Sequence, residues 1–418
     1  MKLISAEYLL PLIMAARCVR SFNLRFAPNT RFSALTTNQS TATKRSWQLS
    51  SRPQHQSRHG HFLNPGFSSR LFSSSNQNAD ETKRVVFLGT PEVAATTLRN
   101  LYEDSVGKYE IVCVITQPPK RRRRKGKAEP SPVGAAAEEL GLPVLSPEKA
   151  NEKEFLDRLE NEIKPDLFIT AAYGQYLPKR FLATPSLGTV NIHPSLLPKW
   201  RGASPVQRSL EAGDNPIGVT VLYTVSKMDA GPIIAQKEDV IQDVNADDAK
   251  ATNVLPRLFE IGTDLLIEKM PDILSGEMSF DKAKPQNEDL VVQASMIHSS
   301  EAEMRPWEET AATLHNRLRG FSMWPGAFIY LEVGEGSEPV KFKIIETRLL
   351  EEEKENEPTD FIKRGPSKKD GLRLVCFDGS ILEINRLQPA TKKPVDALSF
   401  INGLQGRTVR YVKAPENK

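Results

Sequence analysis

A chain of 418 residues is too long for one ordinary domain and long enough for two, and its net charge of +4 conceals two unlike parts. Residues 1–79 carry ten Lys or Arg against a single acidic residue, Glu7, whereas the remainder carries 46 basic and 51 acidic residues, so +9 in the first part is set against −5 in the second. Beyond residue 79 only Cys113 and Cys376 remain, which excludes a disulfide scaffold and a cysteine zinc centre; no apolar stretch approaches the roughly 20 residues that span a bilayer, so a soluble protein is expected.

The first 79 residues, with thirteen Ser and with Arg17, Arg20, Arg25 and Arg31 set among apolar residues, have the composition of an organellar transit peptide. Arg70-Leu71-Phe72 followed by three Ser resembles a presequence cleavage site, which favours the mitochondrial matrix, with the plastid as alternative or additional destination.

Periodic order begins at Arg84. The run 85–88 has no alternation, as expected of a strand buried on both faces of a parallel sheet, and Gly89-Thr90-Pro91 turns it into a helix. Further strands are predicted at 111–115, 143–145, 167–170 and 188–193, with helices at 132–140 and 153–163 between them. Two more strands, 219–223 and 233–241, precede a helix over 246–269. Strands alternating with helices predict an α/β, doubly wound, Rossmann-like domain over 84–270. Residues 271–304, opening on a Pro- and Gly-containing polar stretch, read as a linker. After a helix at 309–318, runs at 327–332, 340–345, 372–377, 380–384 and 408–412 alternate at period two, and Asp378-Gly379 is a hairpin turn. The second domain, 305–418, is therefore a small OB-like β-barrel, with the charge run 351–360 as a solvated loop. From Lys363 to Lys418 basic residues exceed acidic ones by seven, which suits either a polyanion partner or a soluble surface.

The turn Gly89-Thr90-Pro91-Glu92-Val93-Ala94 lacks the second and third glycines that bring a helix end against a pyrophosphate, so dinucleotide binding is not expected. More informative is Asn191-Ile192-His193-Pro194 at the end of the fifth strand. Alternation puts Asn191 and His193 on one side of that strand, where an amide donor and an imidazole can together polarise a carbonyl. Asp229, in a turn beside the later strands, can orient His193 and relay a proton. A lone Asn-x-His is more often structural than catalytic, and spacing alone leaves the choice open.

The residues around it carry a resemblance. Val190 to Pro205, with its His-Pro-Ser-Leu-Leu-Pro block, followed by Gly218-Val219-Thr220 and Met228-Asp229-Ala230-Gly231, is similar to the formyltetrahydrofolate-dependent formyltransferases. Val86 to Pro91, Thr116-Gln117-Pro118, Pro130 to Val133 and Leu387 to Lys393 narrow the likeness to the family acting on methionyl-tRNA; it runs from about Arg84 to Val412. It implies catalytic roles for Asn191, His193 and Asp229, and folate contact along Ser195, Leu196, Leu197 and Pro198. The implied reaction is direct attack of the methionyl α-amino group on the formyl carbon of 10-formyltetrahydrofolate. Asn191 and protonated His193 would stabilise the oxyanion, Asp229 would help move the amine proton, and no metal is required. The dense cationic run Lys120 to Lys127 could be a nuclear localisation signal or an inert loop; the resemblance makes it an insertion that meets the tRNA acceptor stem through Arg121, Arg122, Arg123, Arg124 and Lys125. Arg124 falls at the family's important Arg, although Arg123 stands where the family has Gly. Lys392 and Lys393 of the barrel are expected to contact the same tRNA. The implied partners are methionyl initiator tRNA and folate, with no membrane after import, and the protein is expected to be a monomer. Competing readings are transfer to a small amine, hydrolysis of the folate, and an inactive RNA-binding protein. His298, His315 and Trp324 read as surface or packing residues.

Overall fold

Strands that are apolar without alternation can be satisfied only where both faces are covered, and the runs 85–88 and 167–169 are wholly buried at the centre of the first domain. The computed structural model describes residues 82–121, 126–355, 357, 359–367 and 370–415. The 1–79 segment and Arg122, Arg123, Arg124 and Lys125 lie outside them. In chain order the first domain contains β1 (Lys83–Gly89), α1 (Glu92–Asp104), β2 (Tyr109–Ile115), β3 (Lys120–Arg121), β4 (Ala128–Glu129), α2 (Pro132–Glu139), β5 (Val144–Leu145), α3 (Lys153–Arg158), β6 (Leu167–Ala171), α4 (Lys179–Leu182), β7 (Thr189–His193), β8 (Lys199–Gly202), α5 (Pro205–Glu211), β9 (Ile217–Tyr223), β10 (Ile233–Asp239) and α6 (Ala251–Ser275). The main sheet runs β10-β9-β7-β6-β1-β2-β5, parallel from β7 to β5 and antiparallel at β9 and β10. The chain steps outward from β1 through β2 to β5 and then returns to the other side of β1 at β6. That reversal leaves a crevice beyond the carboxyl ends of β1 and β6, where open α/β sheets bind ligands.

The segment expected to be a linker differs from the reading in two ways. Helix α6 continues past Pro271 to Ser275, because Met270 and Ile273 are buried against the sheet and that burial outweighs the hydrogen bond Pro271 cannot make. The chain then folds back onto the first domain. Lys284 and Ile233 exchange backbone hydrogen bonds of 2.9 and 2.7 Å, and β11 (Val292–Ala294) pairs in parallel with β8.

The second domain opens with α7 (Ala311–Gly320) and contains β12 (Ala327–Val333), β13 (Val340–Lys354), β14 (Lys363–Arg364), β15 (Leu372–Val375), β16 (Ser380–Pro389), β17 (Val395–Asp396), α8 (Ala397–Leu404) and β18 (Val409–Val412). The strands follow the order β14-β15-β16-β13-β12-β18. Closure comes from Ile362 N donating to Val409 O (2.8 Å) and Tyr411 N donating to Asp360 O (2.9 Å). The expected Asp378-Gly379 turn joins β15 to β16. The charge run is not wholly a loop: β13 extends to Lys354, which pairs with Ser380 of β16 after a shift in register beyond Leu350.

The two domains share a packed junction. Gly320 of α7 lies so close to α5 that a Cβ there would sit 2.6 Å from Gln207 O. Met323 joins the apolar cluster of Val206, Leu210 and Val254. His315, 2% exposed, spans the junction: its Nε2 donates to Val244 O (2.9 Å), and its Nδ1 accepts from Thr347 Oγ1 (2.9 Å). Burial, the largest cause, pushes its pKa down to about 4; the charges of Arg319 and Lys250 lower it further, and the Val244 bond and Asp243 oppose. An unfolded His takes up its proton at the ordinary value of 6.5, while the folded one waits until about 4. Stability is thus fully present above the unfolded value and falls as pH drops from about 6.5 to about 4, by about 3 kcal/mol if His315 acts alone. Thermal unfolding of His315→Gln should lose less stability across this window than the unaltered chain; equal losses would assign the acid sensitivity to other groups.

Candidate active site

Asn191 and His193 stand at the carboxyl end of β7, beside the crevice, and Asp229 reaches them from the turn after β9. Thr170, paired with Asn191 across β6 and β7, donates its hydroxyl to Asn191 Oδ1 (2.7 Å). With its oxygen so held, the amide leaves its Nδ2 donors to the cavity. His193 is 4% exposed and donates from Nε2 to Trp200 O (3.0 Å), because a carbonyl can only accept. Proton exchange with a substrate therefore falls to Nδ1, which lies 3.7 Å from Asp229 Oδ1. That separation is too long for a direct hydrogen bond, so the Trp200 carbonyl, and not Asp229 as expected, fixes the ring, and the Asp229 carboxylate stands beside its free nitrogen. Asp229 Oδ2 in turn accepts from Gly202 N (2.9 Å). Gly202 has φ +132, and a Cβ there would meet Ala294 O at 2.6 Å, so no larger residue could bring this amide to the carboxylate.

Ala172, Trp200 and Asp229 all have positive φ, at 48, 68 and 49°, in the left-handed region that L side chains other than Asn and Asp rarely enter. Such conformations gather at sites where the surroundings over-determine them; Ala172 and Asp229 line the cleft, and Trp200 offers its carbonyl to His193 beside it. The cavity, of about 570 Å³, is bounded by Pro91 after β1, Tyr173 and Leu177 after β6, Phe259 of α6 and Met323 of the second domain. Asn191, His193 and Asp229 give this largely apolar space one polar end.

The structure places Ser195, Leu196, Leu197 and Pro198 outside that lining. Ser195 donates its hydroxyl to Lys199 O (2.8 Å), and Leu197 packs with Leu222 and Ile233. Thr220 and Gln236 hold the backbone of the segment through Ser195 O, Leu197 N and Leu197 O. Within the turn between β7 and β8, Ser195 and Leu197 are buried, whereas Leu196 and Pro198 are half-buried. The motif is legible in sequence, but which face of the turn it fills depends on packing against β9.

The formyl transferase family model matches residues 83–267, and that of the formyl transferase C-terminal domain matches 298–405. The chain is 37% identical over 320 residues to a methionyl-tRNA formyltransferase of Listeria monocytogenes serotype 4b (strain CLIP80459), covering 77% of this chain and 95% of that one. It is likewise 37% identical over 326 residues to that of Macrococcus caseolyticus (strain JCSC5402), covering 78% and 97%. The chain belongs to the methionyl-tRNA formyltransferase family. A sugar 3N-formyl transferase solved with dTDP and 5-N-formyl-THF shares the fold at a TM-score of 0.51 and 17% identity, over 75% of this chain and 99% of that one.

The other expected residues take separate places. Arg121 is exposed at the end of β3, in a short hairpin with β4. This hairpin springs from the carboxyl end of β2, the same sheet edge as the cavity, and its base is fastened by buried Thr116 and Ser131, whose hydroxyls lie 2.6 Å apart. Lys392 and Lys393 are exposed after β16, in a turn closed by Gln388 Nε2 donating to Lys392 O (2.7 Å). His298 is exposed before a short 3-10 turn, and Trp324 packs against Ile297, Ala302 and Phe321. Burial pushes the thiols of Cys113 and Cys376 up to about 12, which leaves neither a nucleophile at neutral pH. Among the described residues no group of three His, Cys, Asp or Glu could hold a metal, and no helix is long and apolar enough to cross a membrane.

Thr170 was not singled out in the sequence, because its role depends on the register of β6 against β7. Thr170→Val should free the Asn191 amide to turn and lower kcat about tenfold, the worth of one hydrogen bond to a reacting group, with KM for methionyl-tRNA little changed. Thr170→Ser should restore most of the loss. Unaltered kcat in Thr170→Val would remove Thr170 from the account.

Proposed function

We propose that this protein formylates methionyl initiator tRNA inside an organelle, with Asn191, His193 and Asp229 as its catalytic side chains. The reaction transfers the formyl group of 10-formyltetrahydrofolate to the α-amino group of tRNA-borne methionine. The observation that carries the site assignment is the convergence of the three side chains at the polar end of an apolar cavity at the sheet's reversal point. The cavity suits a folate: Tyr173, Leu177 and Phe259 supply flat apolar walls, and the polar end meets the formyl group.

Asn191 Nδ2 donates to the formyl oxygen, where negative charge grows as the amine nitrogen bonds to the formyl carbon. Protonated His193 donates from Nδ1 to the same oxygen while its Nε2 stays anchored on Trp200 O. Asp229 balances the imidazolium charge and passes the proton lost by the amine towards the departing folate nitrogen. Arg121, exposed at the sheet edge beside the cavity, meets phosphates of the acceptor stem together with the cations that follow it in sequence, Arg122 to Lys125, and Lys392 and Lys393 meet the same tRNA from the barrel. Because Met323 of the second domain lines the cavity, one chain completes it, which supports a monomer.

The basic, Ser-rich, acid-poor composition of residues 1–79 supports import into the mitochondrial matrix, or into a plastid. Residues 1–79 fused to a fluorescent reporter should carry it into one of these organelles; a cytosolic reporter would refute the organellar setting. Selectivity is tested by comparing initiator with elongator methionyl-tRNA. A large kcat/KM advantage for the initiator is expected, and equal values would remove that restriction.

A further inference from the structure

The segment between the domains reaches into the active site from behind. Gln286 Nε2 donates to both Asp229 O (2.8 Å) and Gly231 O (2.7 Å), spanning the turn that carries the Asp229 carboxylate. Its Oε1 accepts from Arg201 Nε (2.9 Å), and Arg201, 2% exposed, donates from Nη2 to Glu288 Oε1 (2.9 Å). The residue after Arg201 is Gly202, whose amide holds the Asp229 carboxylate. The catalytic turn is thus gripped twice, at its side chain by Gly202 N and at its main chain by Gln286.

We infer that Gln286 is a positioning residue that holds Asp229 in its left-handed backbone conformation, so that the carboxylate faces His193 Nδ1. The physical need is plain: Asp229 has φ +49, in the left-handed region, which a short polar residue enters singly when hydrogen bonds hold its turn there. A primary amide can do this because it has two N–H donors for two carbonyls and one oxygen for the guanidinium. A glutamate of the same shape would keep the acceptor for Arg201 but turn a carboxylate oxygen towards two carbonyls. Gln286 does not line the cavity, so its effect on chemistry must pass through Asp229.

The inference rests on the formyl-transfer reading and is tested by a double-mutant cycle in the full chain. Gln286→Met and Gln286→Glu are each combined with Asp229→Asn, and single-turnover formylation of methionyl-tRNA is measured together with thermal unfolding and KM for the tRNA. Both Gln286 substitutions are expected to lower kcat about tenfold or more, with KM nearly unchanged, in the unaltered background. In the Asp229→Asn background the further loss should be under about twofold, because residues acting through one another are not additive. Gln286→Glu, closest in shape, gives the answer where Gln286→Met does not fold. Unchanged kcat in a folded variant, or the same loss in both backgrounds, would overturn the assignment while formyl transfer stands. An unaltered chain that formylates no methionyl-tRNA would overturn the formyl-transfer reading and this assignment with it.

Discussion

His193→Ala is expected to lower single-turnover formylation about 1000-fold while leaving affinity for methionyl-tRNA nearly intact, within the range for loss of a positioned acid or base. The size follows from the geometry. The ring is 4% exposed and anchored through Nε2, so it has one free nitrogen, and that nitrogen lies 3.7 Å from a carboxylate. Its loss leaves the formyl oxygen with the Asn191 amide alone and leaves the Asp229 carboxylate without its imidazole neighbour. Binding of tRNA should persist, because His193 is too deeply set to meet a phosphate. Near-normal turnover in the Ala variant would show that the imidazole is structural, the alternative that Asn-x-His spacing leaves open.

Replacing Arg121, Arg122, Arg123, Arg124 and Lys125 together with Ser should produce the second large effect, on binding and not on chemistry. Each cation that neutralises a phosphate contributes about 0.9 to the slope of log affinity against log salt, so five could remove up to about 4.5 from that slope. Affinity at low salt should fall steeply, and the difference between variant and unaltered chain should narrow as salt rises. At saturating tRNA the rate of the chemical step should hold within a few-fold. An unchanged salt slope would assign these charges to solvation and shift the weight of tRNA binding to the barrel.

Much of the site was legible because its chemistry lies in short motifs on elements with a clear period. The alternation rule put Asn191 and His193 together at the end of one strand, and the turn at Met228 to Gly231 is set by its own residues. Their supports were not legible. Thr170 meets Asn191 only through the pairing of residues 21 apart in sequence, Trp200 acts through its carbonyl and not its indole, and Gln286 lies in a stretch whose polar composition reads as a connection. A side chain's class says nothing about a main-chain group, and a linker's composition says nothing about what it is tied to.

The fold shows the same division. Buried parallel strands appear close to where their apolar runs predict them. The ends of α6 and β13 run beyond expectation, because buried Met270 and Ile273 and the ladder to β16 outweigh local signals from Pro271 and from a run of Glu. The Ser195 to Pro198 block is likewise readable as a motif, while the bonds that hold its backbone come from Thr220 and Gln236, which are distant in sequence.

The most direct test of the central claim is formyl transfer by the full chain from 10-formyltetrahydrofolate, with methionyl initiator tRNA, uncharged tRNA and free methionine offered in parallel. Formyl groups on the α-amino nitrogen of the charged tRNA alone, in an amount matching the folate consumed, are the predicted result. Folate consumption without formylated tRNA would contradict it and turn the same three side chains to hydrolysis or to a small amine.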